Sequence, residues 1–358
     1  MINTISTNNL RRILMSSCVL AFYAFTPANA EPITHTDQAG HQLTFDKIPE
    51  NIVAITGASN VITVDGGGDR LAGTSPRSRN TILEGVLNEF FPVLNDLPMG
   101  MITKQGVPNI EEMLNLKTDL ALQWARKSKS IEAMENAGIP VVALKYSKVG
   151  MEKSFLTDVG VILRQDAKVK KILAWHDETY KRITDKTKAI AEDKKPKVLF
   201  LLRETFAAGP SSHFQFTMDT AGARNALDVK GRFIDVDAEL ILKSDPDVIW
   251  LMGWNPKLMP ETFLKNPIYA DLKAVKNHRI YKVPVGGDHW DAPNQEFPLA
   301  WEWFTRTLHP ELLEGSIRDS VKAAFPMLYG HTPTDKQLDM ILRVKVNKSA
   351  ANYDIIAR

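Results

Sequence analysis

The feature that most restricts this chain is an alternation of short apolar runs with helix-period segments, which occurs twice and is interrupted once by a long proline-free stretch. In the first block Ile52-Val53-Ala54-Ile55, Leu71-Ala72-Gly73, Leu120-Ala121-Leu122 and Val141-Val142-Ala143-Leu144 have the length and β-branched content of buried strands, with helices expected over 61–64, 109–116 and 129–137. A hairpin precedes them: Ile33-Thr34-His35-Thr36 and Gln42-Leu43-Thr44-Phe45 flank the turn Asp37-Gln38-Ala39-Gly40. The second block repeats the plan with strands at Val198-Leu199-Phe200-Leu201-Leu202, Val248-Ile249-Trp250-Leu251 and Ile280-Tyr281-Lys282-Val283 and a helix over 217–227. Strands that alternate with helices pair in parallel, so two α/β units are expected. Between them, residues 151–193 contain no proline and one glycine and are rich in Lys, Leu, Ala, Glu and Ile, which predicts one long helix.

In α/β sheets ligands sit beyond the carboxyl ends of the strands, and the loops there are rich in chemistry. Arg77 and Arg79 follow the strand at 71, Trp124 and Arg126 the strand at 120, and Arg203 the strand at 198. Trp254 follows 248–251, and Asp288-His289-Trp290-Asp291 follows 280–283. Guanidinium groups suit bidentate capture of carboxylates and other oxyanions, and an exposed arginine is as often only solvated or ion-paired. Trp124, Trp254 and Trp290 offer flat faces to a ligand ring or an arginine, or pack at an edge. His289 is the first metal-ligand candidate and His213 the second, each weighed against an ordinary hydrogen-bonding role. Gly66-Gly67-Gly68-Asp69 is not followed by Gly-Lys-Ser/Thr and reads as a tight turn. No catalytic triad or paired-acid pattern is visible.

The first thirty residues read as a cleaved secretory signal: Arg11 and Arg12, an apolar run over 13–25, and Ala28-Asn29-Ala30 before Glu31. The rival is a lipoprotein acylated at Cys18. The signal carries two arginines and no acid, so the formal charge of +2 becomes zero on cleavage, and nothing directs the chain to nucleic acid. Cys18 is the only cysteine, which excludes disulfides and thiolate chemistry from the mature chain. A periplasmic location follows as an expectation.

Taken in order, Thr36-Asp37-Gln38-Ala39-Gly40, Ile48-Pro49-Glu50-Asn51-Ile52-Val53, Asp69-Arg70-Leu71-Ala72-Gly73-Thr74, Pro108-Asn109-Ile110-Glu111-Glu112 and Leu116-Lys117-Thr118-Asp119-Leu120 form a recognisable set. Leu240-Ile241-Leu242, Asp245-Pro246-Asp247-Val248-Ile249, Asn266-Pro267 and 272–281 continue it. The whole mature chain thereby resembles the class III substrate-binding proteins of ABC importers, the group of ferric-siderophore, haem and cobalamin receptors. Gly286-Gly287, Trp290, Pro293 and Glu296 resemble the pattern of a metal-complex-binding subgroup. The resemblance implies an α/β fold of two Rossmann-like lobes joined by one long rigid α-helix: a signal at 1–30, an N-terminal lobe at 31–150, the helix at 151–193, a C-terminal lobe at 194–345 and a tail at 346–358. The strand-end loops nominate Arg77, Arg79, Trp124, Arg126, Arg203, Trp254, His289 and Trp290 as ligand contacts, and the resemblance implies permease docking through Glu111 and Glu239, one in each lobe.

The expectation is therefore a monomeric extracytoplasmic receptor with no catalytic cofactor. It would bind a metal complex, first an iron-siderophore type, between its lobes and hand it to a permease dimer and its ATPase. A nickel or cobalt chelate, haem, or a molybdate-type oxyanion are alternative cargoes. A chelatase-like enzyme and a sensor or adhesion module are the readings from other classes.

Overall fold

The computed structural model describes residues 31–103, 106–145 and 150–358. The expected signal, with Cys18, lies outside them. After the hairpin of β1 (Ile33–Thr36) and β2 (Gln42–Phe45) come β3 (Ile52–Ala54), β4 (Leu71–Thr74), β5 (Leu120–Trp124) and β6 (Val141–Leu144). These four make a wholly parallel sheet in the order β4-β3-β5-β6. Strands β3 and β6 are buried at every position, as parallel strands covered by helices on both faces must be.

The second sheet is built from β7 (Lys197–Arg203), β8 (Phe206–Ala208), β9 (Arg224–Asn225), β10 (Phe233–Asp235), β11 (Val248–Leu251) and β12 (Ile280–Lys282). Its order is β10-β8-β7-β11-β12 with β9 also on β7; β8 runs antiparallel to both β7 and β10, and the remaining pairs are parallel. The helix Phe297–Leu308 is buried all round, which its four aromatic residues permit, and Trp250 of β11 donates its indole N–H to Thr307 on it. The molecule is thus a two-lobed α/β protein with a sheet at the heart of each lobe.

The single helix expected over 151–193 is two helices, Met151–Ile162 and Asp166–Thr187. Arg164 adopts φ 53°, the Gln165 amide donates back to Gly160 O at 2.8 Å and Arg164 to Val161 O at 3.2 Å, a Schellman closure that ends the first helix without proline. The first helix packs on Ala58–Asp65 and β1, the second on His213–Ala221 and Phe297–Leu308, so the crossover is a helix pair bent at Leu163–Arg164. A second Schellman closure corrects another boundary. The helix expected over 217–227 is His213–Ala221, because Gly222 at φ 75° lets the Ala223 amide turn back to Met218 O.

Residues 346–358 are not a tail. Tyr353 is 2% exposed, its hydroxyl donates to Leu342 O and accepts from the Trp303 indole, and Ile356 is buried beside it. The last turns complete the core of the second lobe. Among the described residues no helix is long and apolar enough to cross a membrane.

Candidate ligand-binding cleft

The carboxyl ends of both sheets open on one cleft of about 900 Å³. From the first lobe, Ile55, Gly57 and Ser59 line it where β3 enters its helix. After β4, Ser75 caps the helix Pro76–Glu84 by accepting from the Ser78 amide, and that helix presents Arg77, Thr81 and Glu84 at i, i+4, i+7, one face. After β5, Gln123 Oε1 accepts from the Trp124 amide and its Nε2 donates to Ser130 Oγ, which fixes the turn that carries Trp124, Arg126 and Lys127. The second lobe contributes Arg203, Trp254, Asp288, His289, Asp291 and Asn294.

Six residues that the sequence nominated as ligand contacts therefore meet in one place: Arg77, Trp124, Arg126, Arg203, Trp254 and His289. Arg77 lies over the ring of Trp254 at 5.7 Å, a cation–π contact across the cleft. Arg203 stands 5.9 Å over Phe206, and Trp124 leans on Phe155 with ring centroids 5.6 Å apart.

Three nominations are corrected. Arg79 is two residues, about 200° of helix turn, from Arg77, and it points away from the cleft to donate to Leu97 O and Asn95 O. Trp290 is fully buried and donates its indole N–H to Glu296 Oε2 at 2.6 Å. His213 opens the helix His213–Ala221, 4% exposed, with its ring 3.9 Å from Phe214. It is hydrogen-bonded to the main chain at Asp291 and so supports the cleft loop from behind.

The Gly-Gly-Trp-Pro-Glu pattern has a structural origin. Glu296 accepts from the Gly287 amide, the Trp290 indole and the Tyr329 hydroxyl, so one buried carboxylate clamps the loop that carries Asp288 and His289. A Cβ at Gly286 would lie 2.0 Å from Glu296 Oε2, and one at Gly287 2.3 Å from the Tyr329 hydroxyl. Burial raises the Glu296 pKa to about 7 despite these three donors.

The charges are arranged with a bias. Arg77, Arg126, Lys127 and Arg203 are exposed in the cleft, and none forms a salt bridge among the described residues. The acids are already engaged. Glu84 bonds Arg343 at 2.6 Å and lies 3.4 Å from His289 Nε2. Asp288 accepts from Ser59 Oγ at 2.5 Å and from the His289 amide at 2.7 Å. Asp291 accepts from the Gly253 amide at 2.5 Å, and burial pushes its pKa up to about 6. Burial first, then Arg343, Arg77 and Lys282, drives His289 down to about 3, so its imidazole is neutral at any physiological pH. Its Nδ1 has no hydrogen-bond partner among the described residues. No group of three or more His, Cys, Asp or Glu side chains that could hold a metal ion occurs among those residues.

Glu84, Ser59 and Arg343 escaped the sequence reading, and Lys127 was visible in it only as the neighbour of Arg126 in a strand-end loop. Only Glu84 had a signal, its i+7 spacing from Arg77 on a short helix. Arg343 reaches the site from the turn between the helices Asp335–Ile341 and Val344–Asn347, where no local pattern announces it.

A cleft between two α/β sheets, floored by strand-end loops from both, is the architecture of a two-lobed solute receptor. The chain belongs to the periplasmic binding protein family, whose sequence profile matches residues 102–285. A periplasmic solute binding protein of Veillonella parvula superposes with a TM-score of 0.82 at 27% identity, over 88% of this chain and 98% of that one. The Fe(3+)-citrate-binding protein YfmC of Bacillus subtilis is 26% identical over 180 residues, which are 49% of this chain and 56% of the relative, so the match spans little more than half the relative's length. Helicobacter pylori CeuE, solved with Ni(II) bound, shares the fold with a TM-score of 0.70 at 22% identity, over 87% of this chain and 99% of its own. The family is one of substrate-binding transport proteins of the type seen in ABC importers, not of enzymes, which removes the chelatase reading.

Proposed function

We propose that this protein is an extracytoplasmic receptor that binds an anionic metal complex, of the ferric carboxylate or siderophore type, and delivers it to an ABC importer. One observation carries the choice of cargo. Among the described residues four cationic side chains face the cleft without salt bridges, while each of the three acids that line it already accepts from neighbouring groups. A cleft so biased attracts anions and binds their oxygens by charge-assisted hydrogen bonds. The relative that binds Fe(3+)-citrate supports the same class, a metal masked by carboxylates. Trp124 and Trp254 supply flat apolar walls for the chelator.

Titration with ferric citrate, an anionic ferric catecholate, a nickel–histidine complex and bare metal ions, followed by quenching of tryptophan emission, tests the reading. The anionic ferric complexes should bind best. Arg126→Ala or Arg203→Ala should each weaken them by about 1.5–3 kcal/mol, the worth of a hydrogen bond to a charged group. Tight binding of bare ions that is abolished by His289→Ala and indifferent to the arginine changes would replace this cargo with a directly coordinated metal.

A further inference from the structure

One cation in the second lobe is buried where nothing in the receptor chemistry described so far uses it. Lys282, the last residue of β12, is 0% exposed. Its main chain is held by Asn347, whose side chain accepts from the Lys282 amide at 2.7 Å and donates to the Lys282 carbonyl at 2.9 Å. Its side chain runs inward, and the ammonium donates to Met252 O at 2.6 Å, Asn255 O at 2.5 Å and Leu258 O at 2.9 Å. An ammonium has three protons, and all three are spent on carbonyls of one loop. No carboxylate forms a salt bridge with it among the described residues.

That loop, 252–258, follows β11 and carries Trp254, which faces Arg77 of the opposite lobe. Two more charged side chains grip its first turn. The Gly253 amide donates to Asp291, and the Gly253 carbonyl accepts from Arg343 at 3.1 Å. Three main-chain carbonyls that converge on one point repel each other unless a cation sits between them, so the loop has this shape because Lys282 is there. An apolar residue would suit the buried end of a strand far better, and burying a cation is costly unless the polar groups around it recover that cost.

We propose that Lys282 is a positioning residue for the cargo cleft: its ammonium, bound by the carbonyls of Met252, Asn255 and Leu258, sets the loop that aims Trp254 at Arg77 and thereby fixes the affinity for the bound complex. Lys282 does not touch the cargo; it acts through the loop. The inference rests on the proposed role of the cleft only for its affinity readout, since the loop geometry is measured without any ligand. Burial, aided by Arg343, lowers the lysine pKa to about 7 while Asp291 and Glu84 raise it, and the three carbonyl dipoles favour the charged form further.

The test begins with the unaltered protein. With lysine side chains labelled with ¹⁵N, one ammonium signal should be shielded from solvent exchange at pH 6–7, and addition of ferric citrate should leave it in place. Its absence would overturn the assignment without any variant. Next, the seven tryptophans are replaced by 5-fluorotryptophan and the Trp254 resonance is identified with Trp254→Phe. Lys282→Ala opens space for an exogenous cation, and Lys282→Met fills the channel without charge. In both the Trp254 resonance should shift or broaden, and affinity for ferric citrate should fall about tenfold or more, about 1.4 kcal/mol. Methylammonium at 100 mM should restore resonance and affinity in Lys282→Ala and do nothing in Lys282→Met. An unchanged Trp254 resonance in either folded variant would overturn the proposal, as would a loss in Lys282→Ala that methylammonium leaves untouched. If ferric citrate fails to bind even the unaltered protein, the cargo reading falls while the ¹⁵N and ¹⁹F results still decide the role of Lys282.

Discussion

Trp290 shows how a residue can look like a ligand contact and serve as a support. Its indole bonds Glu296 beneath the cleft loop, so Trp290→Phe leaves a buried carboxylate oxygen without that donor. The variant should lose about 1–3 kcal/mol of stability, read from its urea midpoint, and its affinity per folded molecule should be unchanged. A selective loss of affinity would return Trp290 to the ligand set. Asp291 makes a different prediction, in pH. Its carboxyl titrates near 6 in the folded protein, so between pH 7.5 and 5 it gains a proton and one negative charge leaves the cleft floor. Anionic cargo should bind severalfold more tightly at pH 5, after correction for the titration of the cargo itself, and Asp291→Asn should reduce the difference to the part owed to Glu296 and Lys282, which titrate near 7. His289, neutral down to about pH 3, should contribute nothing across this range.

The helices Ile110–Asn115 and Ala238–Ser244 are capped alike: Asn109 accepts from the Glu112 amide and Asp237 from the Leu240 amide. Glu111 and Glu239 therefore stand at the same second helical position, one in each lobe, both exposed. Their use as a permease-docking pair is a proposal, and it predicts that Glu111→Ala with Glu239→Ala abolishes uptake in cells and leaves cargo affinity intact. Retained uptake would sink it. The bend between Met151–Ile162 and Asp166–Thr187 depends on the left-handed backbone of Arg164. Arg164→Val should cost about 1–2 kcal/mol more than Arg164→Gly in thermal unfolding, because a branched Cβ opposes that conformation and glycine does not.

Across the molecule, bonds from lobe to lobe restrain motion. Glu84 joins Arg343 and His289, Ser59 joins Asp288, and Asn60 joins Gln295 at 3.0 Å. Scattering profiles with and without cargo should nearly superimpose, and a change of several ångströms in radius of gyration would show a hinge these bonds do not allow. Stability against pH also belongs to the whole. Burial holds His176 and His213 near 4 and His289 near 3, so as pH falls below about 6.5 the unfolded chain takes up three protons that the folded one refuses, and stability drops. Asp291 and Glu296, raised to about 6 and about 7, act oppositely: the folded state binds their protons first and gains stability as pH falls toward the unfolded carboxyl values. His309, also lowered by burial, joins the first set, and Glu152 and Asp288, raised by burial, join the second, so the two sets partly cancel between pH 6 and 4.5. Urea unfolding across this range should show a shallower fall in stability than the histidines alone would give; a fall as steep as theirs would mean that the buried carboxyls are ionised in the folded protein.

Period and strand-end position are local properties, and they determined much from the sequence alone. The two strand sets, the parallel pairing at their centres and the loops bearing Arg77, Trp124, Arg126, Arg203, Trp254 and His289 follow from apolar runs and from where α/β sheets leave room. The resemblance carried by ordered short motifs determined the family. The tertiary structure decided what depends on partners distant in sequence. Arg77 and Arg79 are two residues apart, and only the helix placement of one face sends the first to the cleft and the second to the carbonyls of Leu97 and Asn95. A helix break without proline required the fold to accept a left-handed arginine at 164. Trp290 reads as exposed in a loop until Glu296 and Tyr329 close over it. Lys282 sits in an apolar run as an anomaly, and its meaning lies in three carbonyls 24 to 30 residues away. Hydrogen-bonding and charge partners come together only when the chain folds back on itself, which is why the cleft's walls were legible in the sequence and its supports were not.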